Sequence, residues 1–207
     1  QNTRVVVMNK SLQIYVSSTL PSMGVNGVET VTFNSWALSI IRNATKGKAF
    51  FKFRDLPEFV EKIKFSDGIL KALSRFIDQK VRDIDSAISK EFSLKERLLQ
   101  IWKENHKKAL QPRLKDFRHD ISELDLPARE KQIALDYVQN LLTDQEDYIG
   151  DLYALLSNEK LLSSFLPAEP KIKEHLSYLN RMVEKNRRKN YLDYYDMSLI
   201  LRIIQLK

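Results

Sequence analysis

The run Thr32-Phe-Asn-Ser35 groups hydroxyls, an amide and an aromatic ring at a point where a strand is expected to turn into a helix. The preceding residues 29–33 are rich in Val and Thr, which favours a strand, and Asn34 or Ser35 can cap the following helix. Backbone N–H groups at a helix start, next to hydroxyls and amides, are suited to binding a phosphate. The alternative is that Thr32 and Phe33 only end the strand and that Asn34 or Ser35 only caps the helix.

A second candidate strand, Arg4–Met8, ends at Asn9-Lys10. Its β-branched residues do not alternate with polar ones, which is typical of a strand buried on both faces of a parallel sheet. A helical pattern of apolar residues follows it and ends near Pro21. The order strand, helix, strand, helix predicts two parallel strands joined by a right-handed crossover.

After Thr45 the sequence predicts helices and no further strand, apart from an extended connector at 46–54. Ser66-Asp67 is expected to cap a long helix that reaches Phe92. Ser93-Leu-Lys-Glu96 matches a capping box and predicts another helix start. Thr143-Asp144 is expected to cap a later helix. The last helix, from about Tyr194, is so apolar that it should be buried against the α/β unit.

The predicted fold class is therefore mainly α, with a partial α/β unit and an all-helical insertion. The predicted segments are 1–45 for the α/β unit, 46–190 for the helical insertion and 191–207 for the returning helix. Two strands cannot form a stable doubly wound sheet, and the sequence begins without Met. We therefore expect a piece of a larger protein.

The composition excludes several kinds of binding site and indicates which kinds of partner the protein could have. The formal net charge is +7, which is compatible with a polyanionic partner. The absence of Cys excludes disulfides and thiolate metal sites and fits a cytoplasmic protein. The three His residues are scattered, and no metal site is predicted. No apolar run is long enough to span a bilayer, and residues 1–4 lead straight into a strand, so we expect neither a signal peptide nor a membrane partner.

Several of these runs resemble motifs of superfamily 1 helicases of the UvrD/Rep type. Val5-Val-Val-Met-Asn-Lys10 resembles motif Ia, and Thr32-Phe-Asn-Ser-Trp36 resembles motif Ib, in which the third residue is usually His. The segment 12–24 is most similar to the HelD (helicase IV-like) branch. Asp193–Arg202 resembles the helix that precedes the Walker B strand in that family.

This resemblance implies a RecA-like first motor domain with a helical subdomain inserted after motif Ib. It also implies contacts with the backbone of single-stranded DNA. Lys46 and Lys48 follow motif Ib among phenylalanines, a mixture that suits single strands; the alternative is a hinge whose phenylalanines fill the join. The expected nucleic-acid-binding residues are Asn9, Lys10, Thr32, Phe33, Asn34, Ser35, Lys46 and Lys48.

No catalytic residue is predicted. The sequence contains no G-x-x-x-x-G-K-[ST] loop, no Asp-Glu-x-Gln motif and no recognisable arginine finger. We expect the fragment to be inactive alone and to need no cofactor, whereas the parent protein would use ATP and Mg²⁺.

Two further basic runs could follow a phosphate backbone, or could be solvated helix faces. The first surrounds Pro112 and the second precedes Tyr191; their members are Lys103, Lys107, Lys108, Arg113, Lys115 and Arg118, and Lys185, Arg187, Arg188 and Lys189. The alternative function is a helical protein-interaction module of a HelD-like factor that remodels RNA polymerase.

Overall fold

The computed structural model of the protein describes residues 3–52 and 55–207. These residues form a mainly α structure with two small pairs of parallel strands, which confirms the predicted mainly α class. The elements are β1 (Arg4–Val7), α1 (Lys10–Ser22), β2 (Glu29–Thr32), α2 (Phe33–Ala44), β3 (Phe50–Phe51), α3 (Glu58–Lys64), α4 (Asp67–Glu91), α5 (Glu96–Glu104), α6 (Leu110–Glu123), α7 (Ala128–Gln145), α8 (Tyr148–Leu156), α9 (Glu159–Ser163), α10 (Ile172–Arg187), β4 (Tyr191–Leu192) and α11 (Asp196–Leu206).

Strands β1 and β2 pair in parallel, as the sequence predicts, with Arg4 opposite Glu29 and Val7 opposite Thr32. The strand β2 ends one residue earlier than predicted, and α2 begins at Phe33. The cap of α2 is Thr32, whose side chain accepts a hydrogen bond from the Ser35 N–H. The prediction that Asn34 or Ser35 caps this helix is therefore wrong.

The prediction that β1 is buried on both faces is also wrong. Of its four residues only Val7 is buried, and Val6 is exposed. Helix α1, which packs against this sheet, has no buried residue. Parallel sheets are normally covered on both faces, so β1, β2 and α1 form an unusually open layer.

The first hydrophobic core lies behind α2 and draws on most of the other helices. Ala37 and Ile41 of α2 pack into it together with Leu199, Ile200 and Ile203 of α11. The prediction that the last helix is buried is confirmed, because α11 lies between α2, α8 and the start of α4.

A second core is built from the end of α4 together with α5, α6 and α7. Phe92, Trp102 and Phe117 form its aromatic centre. Helix α4 contributes Ile69 and Leu73 to the first core and, further along, Ile84 and Ile88 to the second. The cores thus divide the helical region within α4, and α8 to α10 belong with α2 and α11.

The parallel pair β3–β4 brings together residues far apart in the sequence. Phe50 lies opposite Tyr191, and Phe51 lies opposite Leu192. Asn190 has φ 51°, a left-handed conformation that Asn adopts readily, and it turns the chain from α10 into β4. The prediction of no strand after residue 54 is wrong at β4, because two residues are too few to show a strand period.

The helix caps predicted after α2 from the local sequence agree with the structure in one case and differ from it in two. Ser66 caps α4 as predicted, accepting from the Ile69 N–H. Ser93 does not cap α5, which begins after Lys95 without a side-chain cap. Helix α7 runs through Thr143 and Asp144, and the next cap is Asp147. Those two predicted starts are therefore wrong.

None of the helices in residues 3–52 and 55–207 is both long enough and apolar enough to cross a membrane.

Candidate nucleic-acid interface

The carboxyl ends of β1 and β2 lie side by side, because Val7 and Thr32 are partners in the parallel pair. Each strand is followed at once by a helix. Asn9 caps α1 through its side-chain oxygen, which accepts from the Leu12 N–H at 2.9 Å. Thr32 caps α2 through its hydroxyl oxygen, which accepts from the Ser35 N–H at 3.2 Å. Two helix N-termini therefore open at the same edge of the sheet.

This edge, called here the carboxyl edge, offers donors to an anion. Helix N-termini carry unpaired N–H groups and a partial positive charge. Asn9, Lys10, Asn34 and Ser35 are all exposed at it. The Thr32 hydroxyl donates to the Ser35 hydroxyl oxygen at 2.9 Å, so the Ser35 hydroxyl can donate its own hydrogen bond to an outside acceptor.

The structure thus brings six of the eight predicted residues to one place, since Phe33 also starts at this edge. The Phe33 ring, however, is half-buried and packs on Trp36 with 5.7 Å between ring centroids. Both rings line an apolar groove between α2 and α11, beside Leu201 and Ile204. This packing gives Phe33 a structural role in addition to any contact with a nucleic acid.

Lys46 and Lys48 lie at the opposite end of α2. That helix has 12 residues and is therefore about 18 Å long. Lys46 forms an ion pair with Glu146 at 2.6 Å, which joins the end of α2 to the turn before α8. The two lysines are exposed, but the structure does not place them beside the carboxyl edge.

A contact from the far end of the sequence reaches the carboxyl edge directly. The Tyr194 hydroxyl donates to Oδ1 of Asn34 at 2.9 Å. Tyr194 lies just after β4, so this bond joins the junction of β4 and α11 to the start of α2. Sequence reasoning missed this contact, because nothing near Tyr194 indicates a partner 160 residues away.

Next to that junction lies a buried cluster of charges that the sequence analysis also missed. The Lys64 Nζ is 2.6 Å from Asp193 and 2.5 Å from Asp196, and all three side chains are at most 3% exposed. Burial raises the pKa of Asp196, and the nearby Lys64 ammonium opposes that rise. The same two carboxylates add to the effect of burial in raising the pKa of Tyr153.

The two aspartates also bind each other's backbone at the start of α11, whose N-cap residue is Tyr195. Oδ1 of Asp193 accepts from the Asp196 N–H, and Oδ2 of Asp196 accepts from the Asp193 N–H. The spacing Asp-x-x-Asp before an apolar helix could have indicated this reciprocal pair of bonds. Lys64 had no such signal, because its partners are 129 and 132 residues further along the chain.

One residue of the predicted basic runs is not available to a phosphate. Arg113 is buried, with its guanidinium 3.6 Å from the centroid of the Trp102 ring. It pairs with Asp85 at 2.9 Å and donates to the Trp102 carbonyl. The interpretation of Arg113 as part of a surface track is therefore wrong, and it belongs to the second core.

Comparison with protein-family models, with curated proteins and with solved structures found no match. The resemblance to helicases therefore depends on the short motifs in the sequence. Within the described part of the chain, no three His, Asp or Glu side chains are grouped so that they could hold a metal ion.

Proposed function

We propose that this chain is part of an ATP-dependent superfamily 1 DNA helicase of the UvrD/Rep type, close to the HelD branch, and that it contacts single-stranded DNA. In this proposal β1, α1, β2 and α2 belong to a RecA-like motor domain of a cytoplasmic protein. The observation that carries it is the meeting of Asn9-Lys10 with Thr32–Ser35 at the carboxyl edge.

The chemistry of that edge supports the proposal. In open α/β sheets, ligands bind outside the carboxyl ends of the strands. Phosphates of a nucleic acid are commonly held by backbone N–H groups, hydroxyls, amides and lysines, which is the set found here. These contacts recognise the backbone and would not by themselves select a base sequence.

ATP hydrolysis is not assigned to these residues, because the sequence lacks a phosphate-binding loop and a Walker B motif. In the proposed parent protein, ATP and Mg²⁺ bind to other residues. The residues described here would bind the single-stranded DNA along which the motor protein moves.

The proposal is tested by the binding of a labelled oligo(dT) of about 20 nucleotides, measured by fluorescence anisotropy over a range of salt concentrations. The most direct variant is Asn34→Asp. It keeps the side-chain size and the oxygen that accepts from Tyr194, but places a negative charge beside the bound phosphate. We expect at least about a fivefold loss of affinity.

Lys10→Gln should lower the salt dependence of binding by about 0.7 in the slope of log K against log salt, as for one lost phosphate contact. Lys90→Gln, in the last turn of α4, is the control. If Asn34→Asp and Lys10→Gln both bind oligo(dT) like the unaltered protein, the proposed strand contact is wrong.

A second candidate function is a protein-interaction arm of a factor that remodels RNA polymerase. The observation that favours it is the second core, whose outer surface exposes Leu94 at 96% in the turn between α4 and α5. Purified RNA polymerase should then bind the chain, and Leu94→Ser should weaken that binding without changing oligo(dT) affinity.

A further inference from the structure

The β3–β4 pair presents an aromatic and basic face outside the residues assigned above. Phe51 and Leu192 turn inward, and Leu192 is fully buried in the first core. Because neighbouring residues of a strand point to opposite faces, Phe50 and Tyr191 turn outward. They are direct partners in the parallel register, so their side chains leave neighbouring strands on the same face.

Two lysines lie close to the Tyr191 ring of this pair. The Lys52 Nζ lies 5.0 Å from the centroid of the Tyr191 ring, and the Lys189 Nζ lies 5.9 Å from it. Both lysines are exposed, and Phe50 is 56% exposed. We call Phe50, Lys52, Lys189 and Tyr191 the Tyr191 face.

Hydrogen bonds hold the backbone of the β3–β4 pair in place. The Tyr153 hydroxyl donates to the Tyr191 carbonyl oxygen at 2.6 Å, and the Lys52 N–H donates to the Leu192 carbonyl oxygen at 2.7 Å. The strand pair is therefore fixed to α8 and to the first core, while Phe50, Lys52 and Lys189 are exposed and Tyr191 is partly exposed.

We propose that the Tyr191 face is a second binding surface for single-stranded nucleic acid. Aromatic rings between cations bind single strands without sequence preference, because every base can stack and every nucleotide carries a phosphate. An exposed lysine holds an aromatic ring only weakly, so a base can replace it on the ring while the ammonium moves to a phosphate. A duplex keeps its bases stacked inside and cannot use the ring in this way.

The face continues toward the carboxyl edge. Tyr194, whose hydroxyl bonds to Asn34, follows Tyr191 by three residues, so the two lie at most about 10 Å apart along the backbone. A strand that stacks on Tyr191 can therefore run on to the donors of Asn34 and Ser35. The inference goes beyond the proposed function, because it adds a site that needs neither the carboxyl edge nor an ATPase.

The test compares oligo(dT) affinity and its salt dependence in the full chain and its variants. Tyr191→Ala should weaken binding by about 5- to 150-fold, the range found when a stacking ring is removed, whereas Tyr191→Phe should bind normally. Lys52→Gln with Lys189→Gln should lower the salt slope by about 1.4, as for two phosphate contacts. Lys71→Gln with Lys90→Gln, two exposed lysines of α4 outside the basic runs, is the matched control for charge.

Circular dichroism melts separate loss of binding from loss of fold, and Tyr191→Phe provides a folded reference. A duplex of equal length should be insensitive to Tyr191→Ala. The inference is overturned if Tyr191→Ala and the Lys52/Lys189 variant bind oligo(dT) normally, or if Tyr191→Ala weakens duplex binding as much as single-strand binding.

The same experiment distinguishes this inference from the proposed function. If only the Tyr191-face variants weaken binding, the second surface stands and the contact at the carboxyl edge fails. If only Asn34→Asp and Lys10→Gln weaken it, the proposed function stands and the Tyr191 face does not bind the strand.

Discussion

The Tyr194 hydroxyl donates a hydrogen bond to the Asn34 side-chain oxygen at 2.9 Å, across 160 residues of sequence. The bond uses the oxygen of the Asn34 amide, so its nitrogen is the group that can donate to a phosphate. It also joins the start of α2 to the junction of β4 and α11. The carboxyl edge is thereby anchored to the first core, although α1 and most of β1 are not buried.

Thr32→Ala should lower the free energy of unfolding by about 1 kcal/mol, because the capping oxygen of α2 is lost. Thr32→Ser keeps that oxygen and should remain close to the unaltered protein. Urea unfolding followed by circular dichroism measures both. Equal stability of the two variants would show that the hydroxyl of Thr32 does not cap the helix.

Lys64→Met should lower the free energy of unfolding by about 3–5 kcal/mol near pH 7, because two buried carboxylates lose their cation. The pKa of Asp196 is already raised by burial and should rise further in this variant. A carboxyl with a raised folded-state pKa gives its full stability below the unfolded value of 3.8 and loses it as the pH rises. The loss of unfolding free energy in Lys64→Met should therefore become smaller as the pH falls from about 7 toward about 4.

Lys62→Met is the matched control for that experiment. Lys62 lies on the same helix, but it is exposed and forms an ion pair with Glu58 one turn away. We expect little change in stability and no recovery in acid. A defect in Lys64→Met that stays constant between those pH values would contradict the assignment of two uncompensated carboxylates.

Phe117→Ala should cost about 3–5 kcal/mol, since Phe117 is fully buried against Phe92 and Trp102. The loss should be concentrated in the second core. Hydrogen exchange should show faster exchange of the α5, α6 and α7 amides, with the amides of α2 and α11 still protected.

The matched variant for the first core is Leu199→Ala, at a fully buried position of α11. It should produce the reverse pattern, with protection lost first in α2, α8 and α11. A uniform loss of protection in both variants would mean that the two cores unfold as one unit.

Gly68→Ala should lower stability by about 1–3 kcal/mol, although Ala normally favours a helix over Gly. A Cβ at position 68 would lie 2.5 Å from the Phe165 carbonyl oxygen, a backbone atom that cannot turn aside. Ser89→Ala, on the exposed side of the same helix, should instead be neutral or slightly stabilising. Thermal melts compare the two, and a gain of stability in Gly68→Ala would show that the backbone near Phe165 can move.

Local patterns explain which parts of the fold could be predicted. The β-branched run before Asn9 and the Ser66 cap identify elements whose signals lie within a few residues. The cap of α2 could not be assigned in the same way, because Thr32, Asn34 and Ser35 can all cap a helix. Which of them caps α2 depends on where the pairing of β1 with β2 ends. The last pair joins Thr32 to Val7, 25 residues earlier in the sequence.

The contacts that could not be predicted are those between distant residues. Neither Phe50-Phe51 nor Tyr191-Leu192 is long enough to show a strand period, and each becomes a strand only beside the other. Lys64 resembles any lysine of an amphipathic helix until its two aspartates are in place. For the same reason the sequence showed two segments rich in basic and aromatic residues, around Phe50 and around Tyr191, but did not indicate that these segments meet in the fold.

Helix α4 is shared by both cores, and Val81 packs against each of them. Its 25 residues make it about 37 Å long. A continuous helix of this length behaves as a lever, so a tilt of about 5° at Ile69 moves the far end by about 3 Å. A force applied to the second core would therefore tilt the part of α4 that packs beside α11. Conversely, a shift of α11 would cause a larger displacement at the C-terminal end of α4.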